Sequence, residues 1–284
     1  MADGEVSKEL RDVGLRYPSW KSPLLNLSVV FKHRFLVRNL VRREVRGKYR
    51  NAALGYLWAV LEPMLLASVY YFLFVMIAGN PDELYPIWVL LGVIVWGSFG
   101  HSVTNSVTSL TRNKQTIHLV YFPRIIFPIT SILGGMVVTM MSALIAVPII
   151  YVYDLPLTIY LIYIPLSILL AGFLGIGLGI AFAPLNCMYQ DIEHLFRFIV
   201  RAGFFVSPVM WTYEMAVERG GAFEQFVLLN PMVVPLTMVR HGVEGTALPI
   251  PMLGVIISIG FALTMWIIGS MLFNRFEAEA VKHL

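Results

Sequence analysis

Polar side chains that could contact a ligand lie inside otherwise apolar segments of this sequence. Glu62 and Pro63 interrupt the apolar run that begins at Asn51, and His101 and Asn105 occur at helical spacing in a later run. A carboxylate at membrane depth is costly unless it is paired or hydrated, and a proline leaves a backbone carbonyl without its helical donor. We therefore expect these residues to face protein or a wet cavity. The alternative is an ion pair between Glu62 and an arginine that only holds two helices together.

Signatures of catalysis are missing from the sequence. Gly47-Lys48 lacks the upstream glycine and the following hydroxyl of a phosphate-binding loop, and neither H-E-x-x-H nor G-x-S-x-G occurs. The six histidines include no pair at metal-ligand spacing, and the single cysteine, Cys187, excludes an internal disulfide. We expect no catalytic residue, no metal and no cofactor in this chain. A membrane-embedded transferase is disfavoured because no acid and base are paired.

The composition is that of an integral membrane protein. The 284 residues are 58% hydrophobic and only 13% charged, whereas soluble proteins carry about 25% charged residues. Long intervals contain no Asp, Glu, Lys or Arg, and about 20 apolar residues suffice for a helix to cross a bilayer. Hydropathy and turn signals predict an all-α membrane protein with six transmembrane helices. The predicted spans are residues 51–78, 86–110, 125–153, 155–184, 196–212 and 250–273.

The basic residues indicate how these spans are oriented. With six spans, both termini lie on one side of the membrane, and 19 of the 21 lysines and arginines fall on that side. Only Arg219 and Arg240 fall opposite. Because cytoplasmic segments are enriched in Lys and Arg, we expect a multi-pass protein of the cytoplasmic membrane with both termini cytoplasmic. We expect these cations to meet membrane lipids and not nucleic acid.

An amphipathic interface helix is predicted at residues 31–50, between a cytoplasmic N-terminal segment at 1–30 and the first span. Its apolar face comprises Leu36, Val37, Leu40, Val41 and Val45. Its basic face comprises Arg38, Arg42 and Arg46. Such a helix can lie on the inner leaflet with its cations toward anionic headgroups or a cytoplasmic partner. The alternative is that these cations only anchor the first span.

A re-entrant helical hairpin is predicted between spans five and six, at about residues 214–244. The apolar runs "FVLL" and "MVVPLTMV" flank Asn230-Pro231, and each is too short to cross a bilayer. Asn-Pro favours a turn, and irregular backbone is tolerated at membrane depth only where protein or a cavity shields it. The alternative is an ordinary external loop with a hydrophobic patch. Residues 275–284 are predicted to form a cytoplasmic tail.

Four stretches of the sequence carry a resemblance to a known family. They are "RREVRGKYRNAALGYLWAVLEPML", "YFPRIIFP", "NCMYQDIEHLFRFIVRAGFFVSPVMW" and "LNPMVVPLTMVRHG". In this order and spacing they resemble the membrane subunits of type-2 ABC exporters that move bacterial polysaccharides, such as the O-antigen, teichoic acid and galactan permeases. The resemblance covers the chain from about residue 30 to 275.

The resemblance implies a transport subunit that is not itself an enzyme. Residues 51–274 would form the six-helix permease domain, which dimerises around a central conduit and is driven by two separate ABC ATPase subunits. Those partner subunits would bind ATP and Mg²⁺, and the transported substrate would be a lipid-linked polysaccharide. A type-2 permease for a drug or small lipid is the alternative, and it needs no long hydrated channel.

The resemblance also gives roles to residues according to their position. Substrate access is expected at Arg46, Lys48 and Arg50, where the interface helix meets the first span at headgroup level. The channel lining is expected to include Glu62, Tyr70, Trp88, Trp96, His101 and Asn105, although most aromatic residues here are expected in the membrane-interface belt or the core. The loops coupled to the ATPase carry Arg112, Lys114, Gln115, His118, Asp191 and Glu193. The outer gate is expected at Phe226, Val234 and Met238.

Overall fold

The computed structural model describes residues 22–78, 83–119 and 122–284, and all of its regular elements are helices. Most of the predicted N-terminal segment, residues 1–21, lies outside the described residues. In chain order the α-helices are α1 Ser22–Lys32, α2 Arg34–Tyr49, α3 Trp58–Ala78, α4 Tyr85–Val107, α5 Ser109–Arg112, α6 Lys114–Leu119, α7 Ile126–Ala143, α8 Ala146–Val152, α9 Tyr163–Met188, α10 Asp191–Val206, α11 Tyr213–Arg219, α12 Gly221–Leu228, α13 Val233–Glu244 and α14 Met252–Lys282. Short 3₁₀ helices at Gly55–Leu57 and Ile159–Ile162 precede α3 and α9.

The all-α membrane class is confirmed, with five to six candidate spans. Five helical stretches are long and apolar enough to cross a bilayer: Gly55–Leu73, Tyr85–Val107, Ile126–Val152, Ile159–Met188 and Met252–Lys282. The bent pair of α12 and α13 would be the sixth. The protein is therefore a multi-pass membrane protein.

The predicted fifth span, residues 196–212, overlaps a helix that begins at Asp191 and ends at Val206, so both of its bounds lie earlier in the chain than predicted. Its helix, α10, contains 16 residues, which rise about 24 Å and fall short of a hydrocarbon core of about 30 Å. Pro208 explains the early end, because the residue before a proline is pushed out of helical geometry. Ser207 is accordingly extended, with φ −86° and ψ 154°. Residues 207–212 continue the segment without regular structure.

The last helix is longer than predicted. α14 runs to Lys282, so most of the predicted tail at residues 275–284 is helical. Its 31 residues rise about 46 Å, which exceeds the thickness of the hydrocarbon core. At its far end Glu277 accepts a hydrogen bond from Arg124, with 3.3 Å between Oε1 and Nη1. This ion pair ties the end of α14 to the start of α7.

Small residues bring the central helices α4 and α9 into close contact. A Cβ atom added at Gly175 would lie 2.8 Å from the Cβ of Ser102, and one added at Gly179 would lie 2.4 Å from the Cβ of Ser106. Ser98 Oγ also donates to the carbonyl of Ile168 at 2.9 Å. Small side chains and cross-helix hydrogen bonds are how membrane helices pack without a hydrophobic driving force. α4 and α9 thus form a close-packed centre around which the other helices lie.

The predicted interface helix, residues 31–50, corresponds to α2, and a further helix, α1, precedes it and is separated from it at His33. α2 packs against α7, where a Cβ at Gly134 would lie only 2.9 Å from the Cγ of Glu44. It is also tied to the loop after α4, because Arg112 Nη2 donates to Glu44 Oε1 at 3.1 Å and Arg43 Nη2 donates to Asn113 Oδ1 at 2.8 Å. Protein contacts therefore position α2 on the bundle.

The bent pair turns at Asn230-Pro231, as predicted, and its two helices meet at 92°. Asn230 Nδ2 donates to Ser207 Oγ at 2.9 Å, and Asn230 Oδ1 accepts from the backbone N–H of Met232 at 3.0 Å. Ser258 of α14 donates to the carbonyl of Pro231 at 2.7 Å. Neighbouring protein thus satisfies the polar groups of the turn, as irregular backbone at membrane depth requires.

Candidate functional site

The strongest candidate site is a cavity of about 350 Å³ between α2, α3, α4, α7 and α10, which we call the charged cavity. Its charged lining residues are Lys48 from α2, Glu62 from α3, and Arg197 and Arg201 from α10. Arg197 donates a hydrogen bond to Glu193, one turn earlier on the same helix. Arg201 and Glu62 form no ion pair with any residue that the structure describes. The cavity is therefore lined by charges that are largely available to a ligand.

A proline and a serine shape the wall of the charged cavity. Pro63 cannot donate a backbone hydrogen bond, so the carbonyl of Ala59, four residues earlier, has no helical partner. Ser142 of α7 supplies the missing donor, with 2.5 Å between its Oγ and the oxygen of Ala59. This answers the expectation that a neighbour satisfies the carbonyl freed by Pro63. It also fixes the start of α3, including Glu62, against α7.

Four of the six predicted channel-lining residues line the charged cavity. They are Glu62, Tyr70, Trp96 and His101. Asn105 lies outside it and accepts a hydrogen bond from Arg112 at 3.4 Å. Trp88 also lies elsewhere, and its indole N–H donates to Glu244. Which of these residues contacts a substrate stays a prediction, but the structure brings the first four together.

An aromatic cluster lies at the other end of the charged cavity. The ring centroid of Phe204 is 4.8 Å from that of Tyr70 and 6.1 Å from that of Trp96. Phe205 lies 6.5 Å from Tyr70 in an edge-on arrangement. These rings come from α3, α4 and α10, and the two on α10, Phe204 and Phe205, follow Arg201 by about one helical turn. The cavity thus passes from cations to aromatic faces along a single helix.

The residues predicted to give the substrate access lie at two separate places. Arg46 and Arg50 line a surface cleft of about 720 Å³ together with Arg42 and Arg43, which we call the arginine cleft. Lys48 lines the charged cavity instead. Residues two apart on a helix point in nearly opposite directions, whereas residues four apart share a face. The three cations were grouped because they are close in sequence, but the helix turns Lys48 away from the face that carries Arg46 and Arg50.

The residues predicted to couple to the ATPase lie on the short helices α5 and α6, which follow α4, and in the first turn of α10, which follows α9. Lys114, Gln115 and His118 are exposed on α6. Arg112 is exposed and pairs with Glu44 of α2. Asp191 and Glu193 occupy the first turn of α10, and the backbone N–H of Glu193 donates to Asn186 Oδ1 at 3.0 Å. The exposed residues of α6 are accessible to a partner, and their role stays a prediction.

The predicted outer-gate residues have different environments. Phe226 is 60% exposed, whereas Val234 is 2% and Met238 6% exposed. The two buried residues pack in one core with Tyr213 and Val227. Polar substitutions at Val234 or Met238 would therefore disturb packing as well as any gate. The gate assignment stays a prediction, and Phe226 is the position at which it can be tested cleanly.

Arg240 was not among the predicted site residues, yet it is the best-buried charge of the described residues, at 3% exposure. Its guanidinium donates to the carbonyl oxygens of Val209 at 2.7 Å, Trp211 at 3.1 Å and Trp88 at 3.5 Å. A Cβ at Gly92 would lie 2.9 Å from the Val209 oxygen and 3.2 Å from the Arg240 guanidinium. Arg240 thus fastens the irregular segment 207–212 to α4 and α13. Its only signal in the sequence was a lone arginine in an apolar run.

His241 extends this group of charges, which we call the Arg240 network. Its Nε2 donates to Glu214 Oε1 at 3.0 Å, and its Nδ1 lies 2.6 Å from Thr246 Oγ1. Burial raises the pKa of Glu214, but hydrogen bonds from His241, the backbone and Thr212 outweigh burial and lower the pKa to about 2. Glu214 is therefore ionised at neutral pH. It interacts electrostatically with Arg240, as does Glu244.

Comparison with known proteins gives consistent matches. The chain matches the family described as "ABC-2 type transporter" over residues 36–243, which extend from α2 into α13. It is similar to the O-antigen export system permease protein RfbA of Klebsiella pneumoniae, with 24% identity over 253 residues that cover 89% of this chain and 95% of the relative. The RfbA protein of Myxococcus xanthus is 24% identical over 208 residues, 73% of this chain and 80% of the relative. The polysialic acid transport protein KpsM of Escherichia coli is 25% identical over 220 residues, with the same two coverages of 73% and 80%.

Proposed function

Because this chain belongs to the ABC-2 type transporter family, we propose that it is the permease subunit of an ABC exporter for a lipid-linked polysaccharide. The substrate is of the O-antigen, teichoic acid or galactan type, and it crosses the cytoplasmic membrane. The relatives named for O-antigen export and polysialic acid transport support polysaccharide as the class of substrate. The energy for transport comes from a separate ATPase subunit, which binds ATP and Mg²⁺.

The charged cavity is the observation that carries this proposal. Its cations suit the anionic headgroup of a lipid-linked saccharide, and its aromatic cluster offers apolar ring faces with polar edges to sugars. A permease for an apolar drug needs neither three cations nor an unpaired carboxylate such as Glu62 in its cavity. Both features are expected of a site that handles an amphiphile with a charged and a sugar-containing part.

Energy reaches the permease through its cytoplasmic loops. The exposed α6 helix, with Lys114, Gln115 and His118, and the first turn of α10 are the surfaces that we assign to the ATPase subunit. Family membership implies pairing with such a subunit. With Lys114 and Arg124 flanking this loop, the positive-inside rule supports a cytoplasmic location for it and for both termini.

A homodimer completes the conduit in this proposal. The first span, Gly55–Leu73, is apolar and overlaps α3, yet only 11% of its most apolar part is buried within the single chain. A second copy or lipid must cover that surface, and a conduit between two copies would let the charged cavities of both chains open toward a shared path. Phe226, Val234 and Met238 of the bent pair then lie at the outer end as the gate.

The proposal is tested by transport in inverted membrane vesicles that contain this chain and its ATPase. We expect ATP-dependent uptake of a radiolabelled lipid-linked polysaccharide, and no uptake when the ATPase carries a substitution of its catalytic glutamate. Uptake of a small lipid or drug but of no polymer would instead support the alternative class of type-2 permease. Uptake of polymer by this chain without any ATPase would contradict the proposal.

A cysteine crosslink tests the assignment of the coupling surface. In a Cys187→Ala background, Gln115→Cys and His118→Cys should crosslink to cysteines on the co-expressed ATPase, whereas Phe226→Cys should not. Phe226 is a suitable control because it is exposed and lies on the segment that we place at the opposite side. Crosslinking from Phe226→Cys alone would reverse the proposed orientation.

A further inference from the structure

We propose that Lys48, Arg197 and Arg201 form a binding site for a lipid diphosphate in the charged cavity. The inference rests on the proposed function, because it names the part of the lipid-linked substrate that this chain recognises. It also differs from the grouping by sequence, in which Arg46, Lys48 and Arg50 act together. The structure places two of these three in the arginine cleft and one in the charged cavity.

The charge balance of the cavity fits a dianionic ligand. Three cations and one carboxylate, Glu62, line the space and give its lining a net charge of +2. Glu193 pairs with Arg197, so Lys48 and Arg201 are the two lining cations without an ion pair among the described residues. Like charges gathered in a partly enclosed space repel one another, and a lipid diphosphate that carries two negative charges would relieve the repulsion. Arg201 in particular has no ion pair or hydrogen bond with the residues that the structure describes.

The two arginines are arranged to grip a diphosphate from one side. Arg197 and Arg201 are one turn apart on α10, so both point into the same space. Glu193 fixes Arg197 from the preceding turn, and the planar guanidinium of each arginine can form two parallel hydrogen bonds to a phosphate. Lys48 adds a point charge from α2 on another wall of the cavity. Two helices thus converge on the same anion.

A buried polar atom in the cavity wall also lacks a partner. Nδ1 of His101 is buried and has no hydrogen bond among the residues described, although leaving such an atom unsatisfied costs about 1–3 kcal/mol. His101 lines the charged cavity, as do the hydroxyl-bearing residues Thr104 and Thr139. An oxygen-rich ligand or its ordered water would satisfy this nitrogen. This observation is independent of the three cations and points to the same occupant.

The arginine cleft is a poorer site for the same headgroup. It holds Arg42, Arg43, Arg46 and Arg50 without a carboxylate, and its volume of about 720 Å³ is twice that of the charged cavity. Its lining contains one aromatic residue, Tyr56, and none of the cluster around Phe204. A saccharide attached to a diphosphate in the charged cavity would instead reach the aromatic rings one turn further along α10.

Direct binding tests the inference on the full-length chain purified with its ATPase. The probes are farnesyl diphosphate, farnesyl monophosphate, phosphatidylglycerol and inorganic diphosphate, with dissociation constants measured by calorimetry. Each charge-assisted hydrogen bond to a phosphate contributes enough to change the affinity about tenfold or more. We therefore expect Lys48→Gln and Arg201→Gln each to weaken farnesyl diphosphate binding at least about tenfold. Arg201→Lys should bind with intermediate affinity, because lysine keeps the charge but loses the planar fork.

Arg46→Gln is the matched control, since it removes one cation from the same helix two residues away from Lys48. It should change the affinity less than about twofold. The inference is overturned if Arg46→Gln weakens binding as much as Lys48→Gln. It is also overturned if farnesyl monophosphate or phosphatidylglycerol binds as tightly as farnesyl diphosphate. Inorganic diphosphate that binds as tightly as farnesyl diphosphate would likewise overturn it, because the ligand would then be a free anion and not a lipid. Should Arg201→Gln unfold, the comparison of Arg201→Lys with Arg46→Gln decides the same question.

The outcomes separate this inference from the proposed function. If the wild-type complex exports polysaccharide and Lys48→Gln leaves both diphosphate affinity and export unchanged, the site is wrong while the function stands. If the wild-type complex binds farnesyl diphosphate as expected but moves no polymer with ATP, the site stands and polysaccharide export is wrong.

Discussion

Two arginines of this chain, Arg240 and Arg201, differ in what surrounds them. Arg240 is almost completely buried, and carbonyl oxygens of Val209, Trp211 and Trp88 accept its hydrogen bonds. Arg201 lines the charged cavity, is exposed, and has no partner among the described residues. Both are arginines preceded by apolar residues within a helix, so their immediate sequence contexts are similar. Their roles differ because one has its hydrogen bonds satisfied by protein and the other does not.

The difference separates a structural charge from one that is available to a ligand. A buried polar group that is fully satisfied makes its surroundings rigid, and removal of one member leaves its partners unpaired. A cation at an open cavity with no protein partner costs little to remove, and its energy appears only when an anion binds. Substitutions should therefore lower stability in the Arg240 network and ligand affinity in the charged cavity.

The largest effect is expected from Arg240→Met. Methionine fills a similar volume but leaves the carbonyls of Val209 and Trp211 without donors, and it removes the cation near Glu214. Breaking a buried charged network by removal of one partner costs about 3–5 kcal/mol. We expect a large drop in the thermal midpoint of the purified protein and in its abundance in membranes. Arg240→Lys should have a thermal midpoint between those of Arg240→Met and the wild type, because lysine keeps the charge. An unchanged thermal midpoint in Arg240→Met would show that Arg240 does not stabilise the fold.

A smaller but clear loss is expected from Gly92→Ala. The new methyl group would lie 2.9 Å from the Val209 oxygen and 3.2 Å from the Arg240 guanidinium, so the network must shift. Overpacking of this kind costs about 1–3 kcal/mol. Gly97→Ala on the same helix is the control, because no atom lies within 4 Å of its Cβ position, and alanine is favoured over glycine in a helix by about 1 kcal/mol. Equal thermal midpoints for the two variants would contradict the expected close packing.

Local patterns were sufficient to predict much of the fold. Hydropathy and charge predicted the all-α class and the approximate spans, and the Asn230-Pro231 pair predicted the turn of the bent pair, because each depends on residues close in sequence. The end of α10 at Val206 was not predicted, since the predicted fifth span continues through Ser207-Pro208. The signal was present, because a proline disfavours helical geometry in the residue before it.

The candidate site was predicted only in part. Glu62 and His101 stood out because polar residues in apolar runs are conspicuous, and both line the charged cavity. Arg197 and Arg201 were missed as cavity residues, because only the arrangement of α2, α3, α4 and α10 around one cavity shows that they share a space with Lys48. Contacts between residues about 150 positions apart depend on tertiary structure, which no local pattern encodes.

A pH-dependent effect is expected from Glu214→Gln. The pKa of Glu214 is lowered from 4.5 to about 2, so its stabilising contribution is present above about pH 4.5 and is lost as the pH falls toward 2. Because the side chain is 45% exposed, solvent screening limits the contribution to about 1 kcal/mol. The variant should unfold at a slightly lower temperature than wild type at pH 7, and the two midpoints should converge as the pH falls from about 4.5 toward 2. A constant difference across that range would exclude ionised Glu214 as the cause.

The smallest effect on stability is expected from Glu193→Gln, which removes the carboxylate that holds Arg197 at the charged cavity. Exposed pairs one helical turn apart contribute about 0.3–0.5 kcal/mol, so the thermal midpoint should hardly change. Binding should respond more than stability, because Arg197 would have to be immobilised by the ligand itself. Glu279→Gln is the control, since it removes a similar exposed pair with Lys282 far from the cavity. If the affinity for farnesyl diphosphate changes in Glu193→Gln and not in Glu279→Gln, the ion pair between Glu193 and Arg197 contributes to ligand binding. If Glu193→Gln instead lowers stability as much as Gly92→Ala does, Arg197 has a structural role. The proposed difference between Arg240, which stabilises the fold, and the cations of the charged cavity, which are available to a ligand, would then be wrong.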